Sequence, residues 1–157
     1  MMQQGCKRDV RRVLAAVCEG RSLAVVVLAV LVAACATLTP DSPNEEKVKV
    51  VTARAAARWQ AIIGKDFAVA YGYMSPATRA TVTAAGFRTI ASRIDYRAVK
   101  ITGATCDAGT CRVKLILTYN ATAAIKGGES AQIDGINTPL EENWVIDQGQ
   151  VWYVWPI

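Results

Sequence analysis

Between Cys111 and Ala123 every second residue is apolar or small: Cys111, Val113, Leu115, Leu117, Tyr119, Ala121 and Ala123. The positions between them include Arg112, Lys114, Thr118 and Asn120. Side chains of an extended chain alternate between two faces, so this period of two predicts a long strand with one buried face. Such a strand belongs in an antiparallel sheet whose inner face is covered and whose outer face is wet. The rest of the chain must supply its neighbours and its cover.

Residues 96–106 are read as the preceding strand, joined through a hairpin loop at Asp107-Ala108-Gly109-Thr110. Two demands on the register conflict. If Cys106 faces Cys111, then Lys100 and Thr102 fall opposite Leu117 and Leu115 on the buried face. If Val99 and Ile101 take those places, the cysteines are offset by one. One extra residue satisfies both, and a β-bulge is expected at Gly103-Ala104. After a turn at Lys126-Gly127-Gly128-Glu129-Ser130, a third strand runs over 131–136 or begins after Asn137-Thr138-Pro139. Leu140, Glu142, Trp144 and Ile146 share one parity. A turn at Asp147-Gln148-Gly149-Gln150 leads to a last strand over 151–155, apolar on both faces and therefore expected to be central or covered.

The cover comes from the preceding segment. Ser42-Pro43-Asn44-Glu45 has a helix-start pattern, with serine as cap, proline at the first helical position and glutamate completing a capping box. Glu45 and Glu46 suit the positive end of the helix dipole. Val48, Val51, Ala55, Trp59 and Ile62 form one apolar face, Arg54 and Arg58 lie off it, and Gly64 is the expected stop. Asp66 is expected to cap a second helix reaching Met74. Ser75-Pro76 repeats the cap-then-proline pattern for a third helix ending near Thr83. Gly86 interrupts before a short helix through Phe87, Ile90 and Ala91, and at Ile94 the period changes.

The N-terminal 34 residues are of another kind. Residues 23–34 are an apolar run of about 12, the length of a signal-peptide core rather than of a membrane span. Lys7, Arg8, Arg11, Arg12 and Arg21 precede it, against Asp9 and Glu19, a bias that keeps the N-terminus cytoplasmic. Val32-Ala33-Ala34-Cys35 resembles the lipobox of bacterial lipoproteins. That resemblance implies cleavage before Cys35, acylation of Cys35 and anchorage in a membrane through palmitate-like chains. It divides the chain into a signal peptide (1–34), a lipidated tether (35–42) and one domain (43–157). The charge-free stretch spans 22–40, roughly the length of a span, so an uncleaved helical anchor is the competing reading. Ala36 follows the cysteine; by resemblance to the enterobacterial sorting pattern this favours the outer membrane over the inner.

Removing 1–34 takes five of the 18 Lys and Arg and two of the 13 Asp and Glu, leaving 13 against 11. That balance, with no basic cluster interleaved with aromatics, gives no nucleic-acid footprint. The chain contains no histidine, which removes the usual general base and the commonest metal ligand. No cofactor set is legible. Cys106 and Cys111 would lie in an oxidising periplasm, where so close a pair is expected to form a disulfide, adding roughly 2 kcal/mol.

Helices followed by antiparallel strands make an α+β plan, with helices packed on one face of a curved sheet. Arg58-Trp59-Gln60-Ala61-Ile62, Asp66-Phe67-Ala68-Val69-Ala70-Tyr71 and Ser75-Pro76-Ala77-Thr78-Arg79 resemble the N-terminal helices of nuclear-transport-factor-2-like (cystatin-like) domains. Glu142-Asn143-Trp144 and Gly149-Gln150-Val151-Trp152-Tyr153 resemble their ending. The resemblance implies a pocket between helices and concave sheet, here lined by Trp59, Tyr71, Tyr73, Phe87, Tyr96, Tyr119 and Trp144. The plainer reading is that these side chains are the core. Asp95 and Glu142 are the carboxylates nearest apolar stretches. Buried on the face of Trp144 and Ile146, Glu142 would be pushed up and could act as acid or base; the favoured reading is a strand that twists there and leaves Glu142 solvated.

Three functions follow. The first is an envelope lipoprotein, facing the periplasm, whose non-catalytic domain binds an envelope protein or an apolar small ligand. The second is a small isomerase or cyclase using Glu142 or Asp95. The third is a secretion-system assembly component held by an uncleaved helix. The first is preferred, because it needs only the anchor and the fold.

Overall fold

A computed structural model describes residues 38–124 and 127–156 of this protein. The residues expected to form a signal peptide, Cys35 and the first part of the expected tether lie outside the described residues. Helix α1 (Asn44–Ile63), α2 (Phe67–Gly72), α3 (Pro76–Thr81) and α4 (Ala84–Ala91) come first. Strands β1 (Asp95–Asp107), β2 (Thr110–Ala124), β3 (Ser130–Asp147) and β4 (Gln150–Val154) follow. They form one antiparallel sheet in the order β1-β2-β3-β4. The α+β plan with helices on one sheet face is therefore the observed one.

The core lies between α1 and the inner sheet face. Val51, Ala55, Trp59 and Ile62 are buried on the helix, against Cys111, Val113, Leu115 and Leu117 of β2. Trp144 and Ile146 of β3 and Val151 and Tyr153 of β4 complete that face. The alternation that predicted β2 is the burial pattern it shows from Cys111 to Leu117.

Several helix ends differ from expectation. Ser42 does not cap α1: its Oγ accepts the Thr39 N–H at 3.0 Å in a preceding turn, and Pro43 stands at the cap. Gly64 ends α1 with an ordinary right-handed φ, and Lys65 takes the left-handed conformation at φ 63°. Asp66 and Ser75 cap as expected, accepting from the backbone N–H groups of Val69 and Thr78. Gly86 does not interrupt; it sits in the first turn of α4, where its N–H is capped by Thr83.

The bulge predicted in β1 exists one residue earlier. Cys106 faces Cys111 while Val99 and Ile101 face Leu117 and Leu115, and Thr102 is the extra residue. Gly103 does not have a positive φ, so the bulge does not depend on glycine. A second irregularity falls at Arg97. The third strand is both expected halves at once, one strand of 18 residues. It passes through Pro139, opposite Ile116. Proline is tolerated there because β4 pairs only with Asn143–Asp147, so β3 is an edge at Pro139. The two halves are separated by a bulge at Asp134-Gly135, where Gly135 has φ +69° and gives its N–H to Asn120 Oδ1 at 3.0 Å.

The last strand is at the edge of the sheet, not central, yet it is covered. Its outer side meets the segment between α2 and α3: Tyr153 N–H donates to Tyr73 O at 2.8 Å, and Ser75 N–H donates to Tyr153 O at 2.9 Å. These bonds satisfy groups that would otherwise invite another strand. The packed domain also begins earlier than the tether reading allowed. Leu38 is 5% exposed and belongs to the core. Lys47, buried on α1, donates from Nζ to Pro40 O and, at 3.0 Å, to Ala108 O in the β1–β2 turn.

Candidate functional site

Glu142 and Trp144 are two apart on β3 and therefore share a face, and α1 crosses that face at Arg58 and Trp59. Glu142 is 2% exposed, which corrects the reading that left it solvated. Arg58 Nη1 donates to Glu142 Oε1 at 2.7 Å, and Trp59 Nε1 donates to the same oxygen at 2.8 Å. Trp144 Nε1 donates to Oε2 at 3.1 Å. All three partners are donors that cannot accept, so the cage fits a carboxylate and offers nothing to a carboxyl proton. Burial pushes the Glu142 carboxyl up from its usual range; the Arg58 charge and the indole N–H groups of Trp59 and Trp144 pull it back.

Arg58 is as buried as its partner, which overturns its placement off the apolar face. Its guanidinium carbon lies 3.7 Å from the centroid of the Tyr153 ring and 5.3 Å from that of Trp59. Its Nε finds no hydrogen-bond partner among the described residues. Burial pushes the Tyr153 hydroxyl up to about 12, with Arg58 lowering it and Glu142 and Tyr96 adding to the rise. Tyr96 is also pushed up, first by burial, with Arg58 opposing. A signal for Arg58 was present: Val51, Ala55, Arg58 and Ile62 are spaced by four, three and four. That is the spacing of a buried stripe, and a residue's charge does not remove it from the stripe.

Of the seven residues named for a pocket, six pack in two aromatic chains. Trp59 and Tyr96 have ring centroids 5.1 Å apart, and Tyr96 and Tyr119 6.2 Å. Trp144 meets Tyr153 at 5.6 Å, Tyr153 meets Trp155 at 6.3 Å, Trp155 meets Phe87 at 5.8 Å and Phe87 meets Tyr71 at 6.0 Å. Tyr73 lies beneath the Arg54 guanidinium at 4.9 Å. Trp59, Phe87, Glu142 and Trp144 are buried, and the tyrosines partly so. Asp95 stands apart at the surface, paired with Arg97 and Lys65. Cys106 and Cys111 are joined in the expected disulfide.

A cleft of about 930 Å³ lies elsewhere, and neither those seven residues nor Glu142 lines it. It is bounded by α3 through Pro76 and Thr81, by Val145 and Asp147 of β3, and by Trp152 and Val154 of β4. Its β3 and β4 positions alternate with the buried ones, and Trp155, which packs on Phe87 and Tyr153, closes its other side. The sequence reading missed it because its walls come from chain-distant segments, and because Trp152 and Val154 were read as strand packing. Trp152 is flanked by two guanidinium groups, Arg79 at 5.3 Å and Arg54 at 5.8 Å from its ring centroid. Burial pushes Arg54 down from its ordinary value, with Tyr73 opposing. No group of side chains suited to a metal ion occurs among the described residues, and no described helix is long and apolar enough to cross a membrane.

Neither a protein-family model nor a curated protein sequence matches the chain. A solved structure, that of RPA3114, a SEC-C motif containing protein from Rhodopseudomonas palustris, is similar over 65% of this chain and 73% of its own. The TM-score is 0.49 and the identity 16%.

Proposed function

We propose that this protein is a cell-envelope lipoprotein, anchored through acyl chains on Cys35, whose single domain has a non-catalytic binding or structural role. The observation that carries this reading is the lipobox-like Val32-Ala33-Ala34-Cys35, which closes a short apolar run behind five basic residues. The Cys106–Cys111 disulfide accords with an oxidising periplasm. The caged carboxylate supports the non-catalytic part: both oxygens of Glu142 are already held by donors of the protein, and a general acid or base needs access to a substrate proton. We also read the domain as nuclear-transport-factor-2-like, on the helices-first order, the antiparallel sheet and the bulges that bend β1 and β3.

Intact-mass analysis of membrane-extracted protein, wild type against Cys35→Ala, tests the anchor. The expected result is a mature chain beginning at residue 35 with added acyl mass, lost in the variant. An unprocessed full-length chain in both would overturn it and make residues 22–40 a membrane anchor, with the secretion-component reading in first place. Density-gradient separation of the membranes then checks the outer-membrane expectation drawn from Ala36.

A further inference from the structure

Only Ala36 and Thr37 separate Cys35 from Leu38. Leu38 is buried in the core, and Pro40 lies beside Gly109 of the β1–β2 turn, where an added Cβ would meet Pro40 Cγ at 3.7 Å. Lys47 clasps the two segments together, donating to Pro40 O and Ala108 O. The strand register puts that turn and the β3–β4 turn at one end of the sheet, where Ile146 N–H donates to Gly109 O at 2.7 Å. The connection from β2 to β3 is at the other end, the length of the 15-residue β2 away. Three residues reach at most about 11 Å when fully extended. A bilayer's headgroup layer is about 5–7 Å thick on each side. Leu38 is inside the domain, so the surface around it is nearer to Cys35 than that reach. A domain pinned at Leu38 and acylated at Cys35 has no slack with which to stand clear of the membrane.

We propose that this end of the domain rests on a zwitterionic lipid surface and is held there by the shortness of its link to Cys35. The contact surface consists of residues 38–43, the first turn of α1 and the β1–β2 and β3–β4 turns. The exposed charges of those segments are Asp41, Glu45, Glu46, Asp107 and Asp147, all acidic. Lys47, their one cation, is buried. None of the large exposed apolar side chains, Val69, Ile90, Ile94, Ile133 and Leu140, is among them. The end therefore meets headgroups and does not enter hydrocarbon. Its charge suits the ammonium groups of zwitterionic lipid, whereas an anionic surface would repel it. The inference rests on the acylation of Cys35 and deepens that reading by naming the face that meets the membrane.

The test uses protein extracted from membranes and placed in nanodiscs of phosphatidylcholine and phosphatidylethanolamine. A nitroxide is attached at Gln150→Cys, at the start of β4, or at Ser130→Cys, at the start of β3 on the opposite end; both positions are exposed. Collisions with a water-soluble nickel chelate and with oxygen read the depth of each label. Gln150 should be several-fold less accessible to nickel than Ser130, and should lie at headgroup depth. A Gly-Ser insertion of about 20 residues between Ala36 and Thr37, spanning roughly 25 Å, should raise Gln150 to the level of Ser130. An unchanged line shape at Ser130 certifies the fold of the insertion variant. Equal accessibility of the two labels in the native chain, hydrocarbon depth at Gln150, or protection that survives the insertion overturns the proposal. Intact mass of the same sample separates the two failures. Acyl mass with an accessible Gln150 sinks the docked face alone and leaves the lipoprotein standing; a chain without acyl mass sinks both.

Discussion

Arg54 and Arg58 stand one turn apart on α1, and the fold treats them in opposite ways. Arg58 is sealed in the core, paired with Glu142 and stacked on Tyr153. Arg54 is half-buried near the sheet edge, against Tyr73 and Trp152, with no carboxylate among the described residues. A charge taken out of water needs a partner with good geometry, and Arg58 has one from a residue 84 positions away. Arg54 keeps enough contact with water and aromatic faces to do without. The comparison teaches that burial of one charge obliges a second site to be charged too. Glu142 on β3 is the counterpart of Arg58, and two tryptophans are spent as donors to hold it.

Breaking the sealed pair should have the largest effect. Glu142→Leu leaves Arg58 buried without a counter-charge and should lose about 3–5 kcal/mol in chemical denaturation, whereas Arg54→Met should lose about 1 kcal/mol or less. The double variant Arg58→Met with Glu142→Leu should recover most of that loss, since apolar groups of similar volume need no partner. A double variant no better than Glu142→Leu would mean that the pair does more than neutralise itself. Next, Trp144→Phe removes one donor to Glu142 while keeping an aromatic ring, and should cost about 1–3 kcal/mol by the same measurement. A Trp152→Phe variant, whose ring has no such duty, should change stability less.

The disulfide lies away from both arginines and provides a yardstick. Cys106→Ser with Cys111→Ser should cost roughly 2 kcal/mol, because the loop it closes is short. A loss as large as that of Glu142→Leu would make the hairpin, not the ion pair, the keystone. The smallest effect is spectroscopic. Tyrosinate absorbance at 295 nm should show one of the five tyrosines ionising only near pH 12, assigned to Tyr153 by its loss in Tyr153→Phe. Its folded value lies above the ordinary one of about 10. Its contribution to stability is therefore fully present below pH 10 and is lost as the pH rises through about 12. Titration at the ordinary value would mean that the wall around Arg58 admits water.

Some of this protein was legible in one dimension. The alternation from Cys111 to Leu117, the caps at Asp66 and Ser75 and the need for an extra residue in β1 are local properties of the chain. Each follows from side-chain direction or from a hydrogen bond across three residues, so the sequence by itself determined them. The start of α1 and the place of the left-handed residue at Lys65 were less legible, because neighbouring turns compete for the same groups. Tertiary structure alone decided which charges are sealed. The stripe from Val51 to Ile62 includes Arg58 whatever its chemistry, but only the arrival of β3 makes that position tolerable. It also decided that β4 is an edge covered by backbone from the α2–α3 segment, and that Trp152 faces a cleft rather than the core. Periodicity states which residues share a face; which distant segment meets that face is settled by packing, and the cleft exists only there.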